Sequence, residues 1–147
     1  SQSEIKEYIS TYFDDMLEMI KTTDFDVLSH LTCPLRYISG KYGIAVDLKE
    51  FADKTDIILK EIISRGIALE INTSCLDTAY NVLMPDIPII KRYKELGGYL
   101  LTLGSDAHIA ERIAHGFDYA LSELSRLGFK NIYYYKNRKP IPQEIKL

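Results

Sequence analysis

The chain predicts an α/β fold built on a parallel sheet, and three observations carry that reading. Apolar residues recur at helical spacing in four segments, four short β-rich runs alternate with them, and Gly or Pro falls at most of the joins. Strand and helix alternating this regularly mark βαβ units, whose strands pair in parallel through right-handed helical crossovers. Periodicity does not distinguish an open sheet from part of a barrel. In either case chemistry belongs at the carboxyl ends of the strands.

The first helix is predicted over Ser3–Lys21, where Ile5, Ile9, Phe13, Met16 and Ile20 recur at three- and four-residue spacing and Ser3 can cap the first turn. A β-rich run, Phe25–His30, follows Asp24. The second helix is predicted over Leu48–Arg65, with Asp47 to cap it and Gly66 to end it. The run Ile67–Thr73 reads as a strand. A third helix covers Asp86–Leu96, with Pro88 in its first turn and Gly97-Gly98 behind it. Tyr99–Gly104 is the next strand, Ile109–Leu127 the last helix, and Asn131–Tyr135 the last strand. The tail Arg138–Leu147 holds Pro140 and Pro142 and reads as extended. About four parallel strands and four helices result, with no linker or repeat between them.

Composition narrows the function classes. The 147 residues are 46% apolar and 27% charged, which is globular composition. A formal charge of −3 argues against a protein whose partner is a nucleic-acid backbone. No apolar run approaches the roughly 18–20 residues of a membrane span, and no signal peptide opens the chain. Cys33 and Cys75 make no disulfide framework, so a reducing cytoplasm is the expected compartment. The chain opens at Ser1 without an initiator Met, so its length is expected to be that of a piece of a longer protein.

Leu100-Leu-Thr-Leu-Gly-Ser-Asp-Ala-His108 is the most informative stretch. An apolar strand ends at Gly104 and places Asp106 and His108 two residues apart, on one side of an extended chain. A carboxylate and an imidazole at a strand end suit a divalent transition metal; the other reading is that Asp106 caps the next helix and His108 lies on the surface. His30 closes another apolar run, and two strands ending this way would open on one face of a parallel sheet. Ala68, Glu70 and Asn72 share one face of the strand Ile67–Thr73. A carboxylate there needs a cation or several hydrogen bonds: either the site or an Arg or Lys partner supplies them. Arg36, in the loop after His30, can clamp a phosphate or carboxylate with two parallel hydrogen bonds. Arg36, Glu70 and Asn72 are the candidate substrate-binding residues. His115 is expected within the last helix as a structural or surface residue, Tyr133–Tyr135 as strand filling, and the two cysteines as spectators.

Asp24-Phe-Asp-Val-Leu-Ser-His-Leu31, Ala68-Leu-Glu-Ile-Asn-Thr-Ser74 and Thr102-Leu-Gly-Ser-Asp-Ala-His108 occur in that order. Gly116-Phe-x-x-Ala120, Leu127-Gly-Phe-Lys130 and the Tyr-rich last strand follow. Together, from Phe25 to about Pro142, they resemble the carboxyl-terminal half of histidinol-phosphatases of the polymerase-and-histidinol-phosphatase (PHP) family. The resemblance implies a distorted (β/α)7 TIM-like barrel holding three divalent metals, zinc, manganese or iron, of which residues 1–147 would be a partial domain. It assigns metal ligands to His30, Asp106 and His108, each serving a different metal, with Asp106 also catalytic. Arg36 matches a phosphate-holding position. The family's remaining ligands belong to an amino-terminal half; before Asp24 this sequence has no histidine. Many relatives also carry a Gly and a basic residue after the Glu-Ile-Asn-Thr element, where Ser74-Cys-Leu-Asp77 has neither.

The activity so implied is metal-assisted hydrolysis of L-histidinol phosphate, in histidine biosynthesis. Two rivals remain: a PHP phosphoesterase for another small phosphorylated metabolite, and a half-barrel that is structural or an interaction module without activity of its own. A half-barrel leaves strand edges unpaired, so self-association or pairing with the amino-terminal half is expected.

Overall fold

The computed structural model describes residues 1–146. Helix α1 spans Gln2–Thr22, and its cap is Ser1: the Ser1 hydroxyl accepts from the Glu4 backbone N–H, and the Glu4 side chain reaches back to the Ser1 backbone. The cap thus lies two residues ahead of Ser3, the residue expected to fill that role. Its apolar stripe, Ile9, Phe13, Met16 and Ile20, is buried against α2, Ala52–Arg65. A 3-10 turn, Leu48–Phe51, precedes α2, and Asp47 caps that turn through its bond with the Lys49 N–H. Gly66 ends α2 in the left-handed conformation that glycine adopts without steric cost. Helix α3, Ile87–Glu95, is capped by Asp86, whose carboxylate accepts from the Ile89 N–H.

Three strands form the parallel sheet: β1 (Val27–Leu28), β2 (Ala68–Asn72) and β3 (Leu101–Gly104), in that spatial order. Val27 pairs with Ala68, and Leu69 through Asn72 pair with Leu101 through Gly104. Leu28, Leu69, Ile71 and Leu101 join Ile58, Leu59 and Ile62 of α2 in one core. Each such side chain, fully buried, contributes about 1.5–3 kcal/mol relative to exposure. Among the described residues no helix is long and apolar enough to cross a membrane.

The expected fourth parallel strand is corrected. β4 (Asn131–Lys136) pairs antiparallel with β5 (Lys139–Glu144), which is the tail read as extended. The cause is local: Asn137 and Arg138 take φ of 52° and 62°, and two consecutive positive φ values make a two-residue turn whose twist suits a hairpin. Pro140 and Pro142, two apart on an edge strand, cost the hairpin no ladder bond if both turn their missing N–H outward. Arg138 then binds Asp24 and Asp26, just ahead of β1, while the Tyr133 ring meets Tyr99, just ahead of β3. The hairpin therefore lies at the amino-terminal ends of the sheet strands and leaves their carboxyl ends open.

Two further boundaries differ from expectation. β1 keeps only two of the six residues of Phe25–His30, because the chain turns left-handed at His30 (φ 62°). The last helix is broken: a short 3-10 turn, Ala110–Arg112, is followed by α4, Phe117–Arg126. Positive φ at Ala114 and Gly116 interrupts the helix, and at Gly116 a Cβ would also collide with the Leu76 side chain. His115 lies in this break and not within a helix.

Candidate active site

The carboxyl ends of β1 and β3 bring four of the sequence-predicted residues together. Asp106, reached two residues after β3 and itself left-handed at φ 49°, lies between two imidazoles. His30 Nε2 is 4.0 Å from its Oδ2 and His108 Nε2 is 3.9 Å from its Oδ1. Arg36 Nη1 donates to Asp106 Oδ2 at 3.2 Å. Arg36 opens a stretch of π-helix, Arg36–Lys41, a rare wide helical form. Beside it a cleft of about 240 Å³ opens between Tyr37, Lys41, Cys75 and Tyr80.

The alternative in which Asp106 caps the next helix does not hold: α4 begins at Phe117 after Gly116, with no side-chain cap. His108 is exposed, at 84% of its side-chain surface, and His30 is about half exposed. Two imidazoles and a carboxylate fit a divalent transition metal by donor chemistry. Among the described residues no three His, Cys, Asp or Glu close into a cage around one ion.

Glu70 and Asn72 are placed beside this cluster, with Glu70 Oε2 and the Asn72 amide bonded inside the chain. Glu70 Oε2 accepts from the His30 backbone N–H at 3.2 Å and from Asn72 Nδ2 at 3.5 Å. Among the described residues no Arg or Lys pairs with it. Gly104 makes room, since a Cβ there would collide with the Glu70 carboxylate. Asn72 is fully buried and accepts from the Ser74 N–H at 2.9 Å.

Two contributors were not among the predicted site residues. Tyr12 of α1 donates its hydroxyl to the His30 carbonyl at 2.5 Å, and burial pushes its pKa up to about 12. Thr73 donates to the carbonyls of His115 (2.6 Å) and Gly104 (3.3 Å), joining the loops after β2 and β3. His115 Nε2 stands 2.9 Å from the Asp77 carboxylate without hydrogen-bond alignment. Cys33 and Cys75 are free thiols, and burial raises the pKa of both, which keeps them protonated and poorly nucleophilic.

Imidazole, carboxylate and guanidinium at the carboxyl ends of parallel strands define a class: an α/β chain whose donors suit metal-assisted chemistry on an anion. Comparison with known proteins narrows it. The chain is 35% identical over 132 residues to a probable histidinol-phosphatase of Clostridium acetobutylicum, covering 89% of this chain and 51% of that protein. It is 33% identical over 119 residues to a probable histidinol-phosphatase of Thermotoga maritima, covering 81% and 48%. Its fold matches the crystal structure of the histidinol phosphate phosphatase of Lactococcus lactis, solved with zinc, L-histidinol and phosphate. That match has a TM-score of 0.73 at 25% identity, over 90% of this chain and 50% of that one. No protein-family model matches the chain. The chain is similar to these histidinol-phosphatases and spans about half the length of the curated relatives it matches.

Proposed function

We propose that the chain is the carboxyl-terminal half of a (β/α)7 PHP barrel, and that the complete barrel hydrolyses L-histidinol phosphate to L-histidinol and phosphate. The observation that carries this reading is the convergence of His30, Arg36, Asp106 and His108 at the open end of the sheet.

His30, Asp106 and His108 would each hold a different divalent ion, zinc, manganese or iron, with the amino-terminal half supplying the other ligands. When bound, such ions supply a lowered water pKa and positive charge for the phosphoryl oxygens. Arg36 orients the phosphate: a guanidinium has five N–H donors, and Asp106 takes one of them. That hydrogen bond also fixes the Asp106 carboxylate, leaving Oδ1 on the His108 side. The leaving alcohol has the cleft beside Arg36 to occupy. The outer edge of β1, which pairs with no other strand among the described residues, is where the amino-terminal half, or a second copy, would pair.

One observation favours a second reading, a different phosphorylated metabolite. The stretch Ser74–Asp77 lacks the Gly and basic residue that the resemblance leads one to expect after Glu-Ile-Asn-Thr, and its Asp77 carboxylate lies close to His115. Phosphate release from L-histidinol phosphate by the full-length enzyme, against a panel of phosphomonoesters, separates the two. Histidinol phosphate is expected to rank first, and a poor rank would overturn the first reading. Asp106→Asn is expected to lower turnover at least 100-fold and to reduce metal content; unchanged turnover and metal content would remove Asp106 from the site.

A further inference from the structure

We propose that Glu70 and Tyr12 are positioning residues that hold the His30 backbone from both sides and so aim its imidazole at a metal; this rests on the metal role proposed for His30. Glu70 Oε2 accepts from the His30 N–H at 3.2 Å, and the Tyr12 hydroxyl donates to the His30 carbonyl at 2.5 Å. Between these two bonds His30 sits at φ 62°, a conformation uncommon for a side chain other than glycine. Such a conformation persists only where its surroundings over-determine it. Here they do: the Cys33 N–H also donates to the His30 carbonyl, at 3.0 Å.

The brace comes from three different elements. Glu70 reaches from β2, Tyr12 from α1, and Gly104 of β3 leaves the space the Glu70 carboxylate fills. Asn72 Nδ2 adds a long bond to the same carboxylate oxygen. Left-handed φ at His30 ends β1 early and turns the imidazole toward Asp106, 4.0 Å away. An extended residue at this position would continue the strand, where successive side chains alternate faces. Glu70 Oε2 is thus committed to the His30 backbone N–H, through which Glu70 positions His30.

The test uses full-length enzyme loaded with zinc or cobalt(II), carrying Tyr12→Phe, Glu70→Ala or Glu70→Gln. Outer-shell partners of metal ligands change affinity by about 10–100-fold when removed. Tyr12→Phe and Glu70→Ala are expected to weaken binding of one metal equivalent at least 10-fold and to shift the visible cobalt(II) spectrum. Glu70→Gln keeps an acceptor for the His30 N–H and is expected to restore both readouts. Unchanged metal affinity and spectrum in Tyr12→Phe and Glu70→Ala would overturn the proposal, as would a lowered melting temperature with full metal content. Tyr12→Phe removes one oxygen only, so the test survives a failure of Glu70→Ala to fold. Wild-type enzyme that binds metal but releases no phosphate would overturn the proposed function, while the metal readouts would still decide the brace.

Discussion

Arg36 and Asp106, seventy residues apart in the chain, meet at 3.2 Å and tie the loop after β1 to the loop after β3. The contact puts a guanidinium and a carboxylate, each able to serve a phosphate reaction, within one hydrogen bond of each other. Arg36→Gln in the full-length enzyme is expected to raise the KM for the phosphate ester and to loosen Asp106. A charge-assisted hydrogen bond is worth about 1.5–3 kcal/mol, so kcat/KM should fall roughly 10- to 150-fold. Arg36→Lys should recover only part of it, because an ammonium lacks the planar fork. Steady-state kinetics equal to wild type would exclude Arg36 from the site.

The isolated 147-residue chain is expected to bind zinc weakly and to hydrolyse little. In the proposed function His30, Asp106 and His108 would each serve a different ion, whereas zinc sites use three or four protein ligands per ion. Titration calorimetry checks this, and tight binding of three ions per chain would contradict it.

Arg138 ties the β4–β5 hairpin to Asp24 and Asp26. Its guanidinium, through hydrogen bonds, holds the Asp24 carboxyl below its ordinary pKa. A depressed carboxyl pKa stabilises the fold above the unfolded-state value, and that contribution is lost as pH falls through the folded-state value. Arg138→Ala should therefore lower the urea midpoint at pH 7, by an amount that shrinks toward pH 3 and at high salt. An equal deficit at both pH values would contradict the pairing.

Asp86 has the opposite sign. Burial raises its pKa, and the Ile89 N–H bond offsets that only in part. A raised carboxyl pKa means the folded state holds its proton more tightly, so stability falls as pH rises through the unfolded-state value toward the folded one. Asp86→Asn keeps a good helix cap and removes the charge. Its stability relative to wild type should be greater at pH 7 than at pH 3, as read by thermal melts; a pH-independent difference would refute this.

Much of the site was legible because its residues stand at the ends of apolar runs. His30 follows Val27-Leu28, and Asp106 and His108 follow Leu101–Gly104, so strand polarity alone put all three at one end of the sheet. Arg36 was legible through loop position and resemblance. Tyr12 was not: on α1 it reads as part of an amphipathic face, and its bond to His30 depends on how that helix docks. The role of Glu70 was ambiguous for a similar reason. A carboxylate on a covered strand must be paired, but its partner proved to be a backbone N–H of β1's last turn.

The sequence by itself determined the first three helices, the later part of the fourth, the stop at Gly66, the parallel core strands and the candidate ligands. Each of these is written in spacing along a few consecutive residues. Only the tertiary structure decided that Asn131–Tyr135 turns back with the tail as an antiparallel hairpin. It alone decided that His30 leaves its strand left-handed between Glu70 and Tyr12, and that Arg36 binds Asp106. These contacts join residues 18 to 70 positions apart, and side chains that distant leave no period in the sequence to read.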